Sequence, residues 1–294
     1  MAKGKITKAL SGFYYVKNED GLFQCRARGN FRKRKIKPLV GDQVLFEAEN
    51  KTDGYILEIE ERKNELIRPP IANIDQAILV FSALEPDFSL LLLDRFLVHI
   101  EAHAIQPLIV ISKVDLVHDE ATFKQLKAYK SLYESIGYTV LFASINENSD
   151  IDEIKHYLKG QMSVVAGQSG VGKSSLLNML DPNLEIETNE ISSHLGRGKH
   201  TTRHVELLPI FGGLVADTPG FSSLDFVDIS PEELSLYFLE MKELSSKCKF
   251  RGCTHSSEPS CAVKEVYERG GIAKSRFEHY QLFLEEIKNQ KKRY

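Results

Sequence analysis

The sequence lacks an apolar run long enough to cross a membrane. No stretch of its 294 residues approaches the ~20 consecutive apolar residues that a spanning helix requires. The N-terminus Met1-Ala2-Lys3-Gly4-Lys5 is not followed by an apolar core with a small-residue cleavage site, so no secretory signal is predicted. Internal repeats and low-complexity tracts are missing as well. We therefore expect a cytoplasmic protein with no membrane partner.

Cysteine is scarce, which excludes a disulfide scaffold. Of the four cysteines, three are crowded near the C-terminus. Cys248, Cys253 and Cys261 stand with His255 within 14 residues and offer four ligands, enough to close a tetrahedral zinc shell. The alternative is buried thiols beside a surface histidine. A closed shell leaves no position for water, so we predict one structural zinc ion per chain. Cys25 lies far from this cluster, and we predict that it is a core thiol.

The apolar pattern divides the chain into three parts. Residues 1–68 carry short alternating segments separated by turns, which predicts a small β-barrel. In residues 69–229, after Pro69-Pro70, apolar runs alternate with helical patterns, as is typical of a doubly wound parallel α/β sheet. Residues 230–294 predict a helix, a cysteine-rich loop and a helix with one apolar face. The predicted strands are 12–16, 22–26, 43–47, 54–59, 76–82, 107–112, 138–143, 162–166 and 213–216, and the predicted helices of the middle part include 90–103, 121–136 and 151–158.

One segment has the residues of a phosphate-binding loop. It reads Gly167-Gln168-Ser169-Gly170-Val171-Gly172-Lys173-Ser174-Ser175, follows an apolar strand and precedes a helical run. The glycines let backbone N–H groups turn towards phosphate oxygens, and the helix presents its positive N-terminus. Lys173 should reach the β- and γ-phosphates, and the Ser174 hydroxyl should bind Mg²⁺. The sequence therefore predicts a nucleoside triphosphate site.

A second motif, Ser112-Lys113-Val114-Asp115, indicates which base is bound. It resembles the N-K-x-D motif of GTPases, in which a carboxylate accepts two guanine N–H groups and the lysine stem covers the base. Ser112 departs from the usual asparagine, so its polar tie to the phosphate loop could be weaker. Ala143-Ser144, at the end of the next strand, is placed for a backbone contact with the guanine oxygen.

A third motif, Asp217-Thr218-Pro219-Gly220, fits the D-x-x-G element of GTPases. Asp217 would hold Mg²⁺ through water, and the Gly220 N–H would contact the γ-phosphate. The glycine-punctuated segment 196–204 lies between this motif and the phosphate loop and suits a mobile switch, with Thr201 or Thr202 as a second Mg²⁺ ligand. Phe221 replaces the water-orienting glutamine of many GTPases, so His200 is our first candidate for that catalytic role and His204 the second.

The order of the motifs is permuted. Ordinary GTPases run phosphate loop, switch, D-x-x-G and then guanine motif, whereas here the guanine motif comes first. With the C-terminal cysteine cluster, this order resembles the RsgA family of circularly permuted GTPases over essentially the whole chain. The resemblance implies an OB-fold barrel, a permuted GTPase domain and a zinc-binding helical domain. It also implies binding to the small ribosomal subunit and its rRNA, and GTP hydrolysis that this subunit stimulates during late maturation. A switch-loop histidine of the family matches His200.

The charge distribution favours a polyanionic partner at the ends of the chain. Residues 1–68 and 242–294 each have a net charge of +5, and the middle has −13. In the acid-free stretch 26–37, we predict that Arg32, Lys33, Arg34 and Lys35 bind RNA phosphates and that Phe31 stacks on a base.

Two other functions stay open on the residues alone. An ATP-dependent enzyme or kinase is disfavoured by Asp115 but compatible with Ser112. A nucleotide-responsive RNA-binding scaffold that barely hydrolyses is compatible with Phe221. No coiled coil or repeat forces an oligomer, and we expect a monomer.

Overall fold

Five strands at the N-terminus close into a small barrel in the computed structural model, which describes residues 1–29, 31, 36–67, 69–144, 149–184, 186, 205–217 and 224–290. β1 pairs with both β2 and β4, and β3 pairs with β5, so the strand order 1-2-3-5-4 returns to β1. This closure confirms the predicted OB-type barrel. The strands are β1 (Ala2–Leu10), β2 (Phe13–Asn18), β3 (Gly21–Ala27), β4 (Gln43–Ala48) and β5 (Gly54–Ile59).

The middle of the chain forms the predicted, mostly parallel sheet. In the described part its strand order is β10-β9-β8-β11-β13-β12, with β12 antiparallel to β13. Every residue of β8 and β11 is buried, because helices cover both faces of this sheet. The strands are β8 (Gln76–Ser82), β9 (Gln106–Ser112), β10 (Thr139–Phe142), β11 (Met162–Ala166), β12 (Glu206–Ile210) and β13 (Gly213–Asp217).

Four helices accompany this sheet in the described part of the chain: α1 (Leu90–Ala102), α2 (Glu120–Ile136), α3 (Ser149–Leu158) and α4 (Lys173–Leu180). Ser89 and Asp119 cap α1 and α2 by accepting bonds from Leu92 N and Thr122 N, and Gly137 ends α2 in the left-handed conformation. β11, which precedes the phosphate loop, lies between β8 and β13 although it follows β8, β9 and β10 in the chain. This strand order is compatible with the permuted connectivity that the motif order predicts.

The barrel and the central sheet are continuous. β1 pairs antiparallel with β12, so eleven of the described strands form one continuous sheet. The hairpin of β6 (Glu65–Leu66) and β7 (Ile71–Ala72) links the two parts and spans the boundary predicted at residue 68.

The C-terminal region has a core of its own. A 3₁₀ turn (Leu234–Tyr237) leads into α5 (Leu239–Ser245), α6 (Ala262–Glu268) and α7 (Lys274–Asn289). α7 buries Tyr280, Phe283, Leu284 and Ile287, as its sequence pattern predicts, and it also buries Arg276. Within the described ranges, no helix is both long and apolar enough to cross a bilayer.

Candidate nucleotide site and metal centre

The predicted phosphate loop lies between β11 and α4. Gly167 has a φ of +146°, and a Cβ there would lie 2.1 Å from the Val80 carbonyl oxygen, so only glycine fits. Gly170 and Gly172 also have positive φ angles, of +79° and +90°. α4 starts after Gly172 without a cap from any described side chain, so the N–H groups of its first turn can bind an anion. The loop has the backbone that a phosphate site requires.

Lys173 is held over this loop. Its Nζ donates to the carbonyl oxygens of Gly167 at 2.9 Å and Gln168 at 2.5 Å. Burial lowers the pKa of Lys173, and a bound phosphate would act in the opposite direction because an anion favours the ammonium. Ser174, with a half-buried side chain, follows in the same turn, where its hydroxyl can bind Mg²⁺.

Ser112 connects the predicted base motif to the phosphate loop. It ends β9, is 6% exposed, and its Oγ donates to the Val171 carbonyl oxygen at 2.6 Å. The Phe81 carbonyl oxygen is farther away, at 3.2 Å, so the single hydroxyl hydrogen is used for Val171. A serine in place of asparagine therefore still makes a polar tie to the loop.

The rest of the base motif turns back over the same end of the sheet. Lys113 adopts a left-handed conformation with φ of +58°, and its Nζ donates to the Glu85 carbonyl oxygen at 2.6 Å. A 3₁₀ turn over Val114–Leu116 holds the half-buried Asp115. Ser144 is buried at the end of the neighbouring strand β10. Because parallel strands end at one edge, these groups and the phosphate loop lie together.

Several predicted site residues lie outside the described residues. These are Thr201, Thr202, His200, His204, Gly220 and Phe221 of the nucleotide site and Arg32, Lys33, Arg34 and Lys35 of the predicted RNA contact. Of the D-x-x-G motif, the structure describes the backbone of Asp217, which ends β13 and is the cross-strand partner of Glu206.

The cysteine cluster is assembled as predicted. The ligand atoms of Cys248, Cys253, His255 and Cys261 all lie within 4.8 Å of one another. The Sγ atoms of Cys248 and Cys261 are 3.9 Å apart, close to the ~3.8 Å edge of a tetrahedron with zinc–sulfur bonds of about 2.3 Å. The donor set and its spacing fit a tetrahedral zinc site. Burial raises the pKa of Cys253 to about 12, so a bound cation is what would make its thiol a thiolate at neutral pH.

The imidazole of His255 is oriented by a residue that the sequence pattern did not single out. Its Nδ1 faces the sulfurs, 3.2 Å from Cys261 and 3.6 Å from Cys248, while its Nε2 lies 3.2 Å from the Oγ of Ser245. A metal-binding histidine commonly uses its second nitrogen in this way, which fixes ring orientation and tautomer. Ser245 is ten residues away from His255, at the end of α5, and has no motif of its own.

The structure corrects one predicted RNA contact. Phe31 is 6% exposed and belongs to the barrel core, so it is not placed to stack on a base. Tyr55 lies on the barrel surface instead, where it is 46% exposed. Its cross-strand neighbour is Arg26, and the Arg26 guanidinium lies 4.9 Å from the ring centre of Phe13.

The prediction that Cys25 is a core thiol is confirmed. Cys25 is fully buried in the barrel core, and this burial raises the pKa of its thiol to about 11.

A phosphate loop, a guanine motif and a D-x-x-G strand in permuted order on one sheet define a circularly permuted P-loop GTPase. A family model described as RsgA GTPase matches residues 59–227, and one described as RsgA N-terminal domain matches residues 3–56. The chain belongs to the RsgA GTPase family.

Relatives and solved structures are similar over the whole chain. A protein of Halalkalibacterium halodurans named small ribosomal subunit biogenesis GTPase RsgA is 68% identical over 100% of this chain and 99% of its own length. One of the same name from Bacillus cytotoxicus is 65% identical, with full coverage of both chains. The crystal structure of YloQ, a circularly permuted GTPase, matches with 52% identity and a TM-score of 0.86, covering 100% of this chain and 97% of that one. YjeQ from Thermotoga maritima matches with 37% identity, a TM-score of 0.86 and coverage of 98% and 99%.

Proposed function

We propose that this protein hydrolyses GTP during late maturation of the small ribosomal subunit, stimulated by that subunit and its rRNA. The observation that carries the nucleotide part is the 2.6 Å bond from Ser112 Oγ to the Val171 carbonyl oxygen, which joins the guanine motif to the phosphate loop. The small ribosomal subunit as partner is supported by the relatives that are named small ribosomal subunit biogenesis GTPase. We further propose that the protein acts as a cytoplasmic monomer.

The nucleotide is bound by three groups of residues in this proposal. Gly167 to Gly172 and α4 bind the phosphates through backbone N–H groups, while Lys173 neutralises phosphate charge. Asp115 accepts the N1–H and the exocyclic amine of guanine. Mg²⁺ would be held by Ser174, by Thr201 or Thr202, and through water by Asp217, and it would neutralise the charge that develops on the phosphates. His200 would orient the attacking water.

Each flanking part has a separate role. We propose three domains, which comprise residues 1–68, 69–229 and 230–294. The barrel binds rRNA through Arg32, Lys33, Arg34 and Lys35, and a zinc ion stabilises the C-terminal domain. The exposed Tyr55 and Arg26 beside Phe13 support an RNA-binding barrel surface, since aromatic and guanidinium faces both stack on bases.

The test is GTP hydrolysis by the full chain with and without purified small subunits, with ATP and large subunits as controls. We expect stimulation of about tenfold or more by small subunits alone, which lowers the barrier by at least ~1.4 kcal/mol. Asp115→Asn should weaken GTP binding because an amide donor replaces a carboxylate acceptor. Asp119→Asn is the matched control, since asparagine caps α2 as well as aspartate does.

The results of these assays distinguish the proposed function from the two alternative functions. Displacement of bound guanine nucleotide by ATP would favour the ATP-dependent enzyme. Tight GTP binding with no stimulation by small subunits would favour the RNA-binding scaffold and would contradict the proposed reaction.

A further inference from the structure

β12 is the strand that the barrel and the GTPase core share. It pairs with β13 on one side and with β1 of the barrel on the other. In these two ladders Glu206 is the cross-strand partner of both Asp217 and Lys8. A row of three residues therefore runs from the barrel to the first residue of the D-x-x-G motif.

A bulge takes β1 out of the barrel at this point. From Ala2 to Lys5, β1 pairs with β4, and up to Ile6 its pairing with β2 keeps one register. The register then shifts between Ile6 and Lys8, so Thr7 is the extra residue, and its Oγ1 donates to the Tyr15 carbonyl oxygen at 3.3 Å. Such a bulge bends a strand and redirects the side chains that follow. Here it brings Lys8 opposite β12 rather than β4.

Lys8 and Glu206 form an ion pair across this junction. The Lys8 Nζ lies 2.6 Å from the Glu206 Oε2, and each side chain is about one third exposed, at 29% and 31%. The two residues are 198 positions apart in the chain. A partly buried pair between directly opposite residues stabilises one cross-strand register over its alternatives.

We propose that Lys8 and Glu206 are positioning residues for GTP hydrolysis, through which binding of RNA by the barrel sets the position of β12 and of Asp217 beside it. The inference rests on the proposed function, because it concerns the stimulated reaction. When the barrel is bound, β1 is held in place, and the ion pair holds β12 in register with it. Without the pair, β12 can shift relative to β1, and the barrel no longer defines the position of the D-x-x-G strand.

The test compares stimulated with basal hydrolysis in full-length variants. For Lys8→Met and Glu206→Gln, we expect the ratio of stimulated to basal kcat to fall about fivefold, which is ~1 kcal/mol of lost transition-state stabilisation. The concentration of small subunits that gives half-maximal stimulation should not change, because neither residue is placed to bind RNA. The charge-reversed double variant Lys8→Glu with Glu206→Lys should recover most of the ratio.

Lys3→Met is the matched control, and its ratio should stay at the wild-type value. Lys3 lies on the same strand and pairs with Glu60 at 2.7 Å, away from β12. An unchanged ratio in Lys8→Met, an equal fall in Lys3→Met, or no recovery in the double variant would overturn the inference. Equal losses of basal and stimulated rates would also overturn it, since they indicate a general structural defect. Wild-type protein that small subunits do not stimulate would instead refute the proposed function, and the inference with it.

Discussion

The barrel and the C-terminal region join the GTPase core by different chemistry. The barrel is attached through strand pairing of β1 with β12, and the ion pair at that junction is about one third exposed. The C-terminal region is attached, among other contacts, through an ion pair that water does not reach. Arg276 of α7 is 1% exposed and forms an ion pair at 2.6 Å with Asp94 of α1, which is fully buried.

Asp94 is the centre of this second junction. Its carboxylate accepts bonds from Tyr133 of α2 at 2.5 Å and from Arg276, and it pairs with His279 at 2.6 Å. Burial alone would lower the pKa of Arg276, but the carboxylates of Asp94 and Glu240 outweigh it and raise that pKa well above its ordinary value. The arginine therefore stays charged, and four helices (α1, α2, α5 and α7) depend on one buried set of ion pairs and hydrogen bonds.

Aromatic rings complete the C-terminal junction. The Arg95 guanidinium lies 4.7 Å from the ring centre of Phe226 and 4.8 Å from that of Phe283, and it also pairs with Glu286 at 2.5 Å.

The difference between the two junctions has a mechanical consequence. Two paired strands can twist and bend while they stay in register, whereas separating a buried ion pair exposes uncompensated charge. We therefore expect the C-terminal region to move with the core and the barrel to be the adjustable part.

The largest effect on this comparison is expected from removing a proposed zinc ligand. Cys261→Ala should lower zinc from about one ion per chain to nearly none and unfold the C-terminal region, because structural zinc contributes on the order of 10 kcal/mol to folding. Metal analysis and thermal unfolding measure both effects. Cys25→Ala is the control, since its thiol lies in the barrel core and should leave zinc binding intact. Undiminished zinc in Cys261→Ala would defeat the assignment.

The next largest effect is expected at the buried ion pair. Arg276→Met should cost about 3–5 kcal/mol in the free energy of unfolding, because it removes one partner of a buried ion pair and leaves the fully buried Asp94 without its arginine. Denaturant unfolding measures this loss. Lys274→Met on the same helix removes only an exposed partner of Glu278 and should change stability by about 0.5 kcal/mol or less. A loss of under about 1 kcal/mol in Arg276→Met would mean that the junction does not depend on compensated charge.

A smaller effect is expected where the barrel meets its linker. Gly41 has a φ of +92°, and a Cβ there would lie 2.0 Å from the Ala72 carbonyl oxygen, so Gly41→Ala adds a backbone clash to backbone strain. We expect a loss of about 3 kcal/mol in the free energy of unfolding. Gly137→Ala, with φ of +114° and nothing within 4 Å, isolates the strain and should cost about 1 kcal/mol. Equal losses of unfolding free energy in Gly41→Ala and Gly137→Ala would show that the clash with the Ala72 carbonyl oxygen relaxes without an energetic cost.

The smallest effect concerns the loop that carries the cysteine–histidine cluster. Burial acts to raise the pKa of Glu258, but bonds donated by Thr254 and Ser256 outweigh it and lower the pKa from 4.5 to about 2. A carboxylate with a lowered pKa stabilises the fold above its unfolded pKa and loses that contribution as pH falls towards the folded value. Glu258→Gln should therefore lower Tm by about 2 °C at pH 7 and by less at pH 3.5.

The control for this pH dependence is Glu268→Gln, an exposed glutamate at the end of α6. Its Tm difference from wild type should be close to zero at both pH values. A Glu258→Gln difference that grows as pH falls would contradict the lowered pKa.

Most strands of the fold follow from apolar pattern; besides the two-residue strands β6 and β7, the exceptions are β1 and β12, and both have physical reasons. β1 has lysines at positions 3, 5 and 8, and its buried positions begin with Gly4 and Ile6, so it carries little apolar alternation. β12 contains Pro209, which argues against a strand paired on both sides. The basic neighbours of Phe31 predict a ring on the RNA-binding surface, yet its ring is packed in the barrel core.

Local spacing is enough to predict the phosphate loop, the guanine motif and the cysteine–histidine cluster, because each needs fixed residue types within a few positions. The contacts that join the parts span much longer separations: 59 positions from Ser112 to Val171, 182 from Asp94 to Arg276 and 198 from Lys8 to Glu206. A serine, a buried arginine or a strand lysine has no local pattern that names its partner. Those pairings depend on strand order and helix packing, since only the folded sheet brings such distant positions within hydrogen-bonding distance.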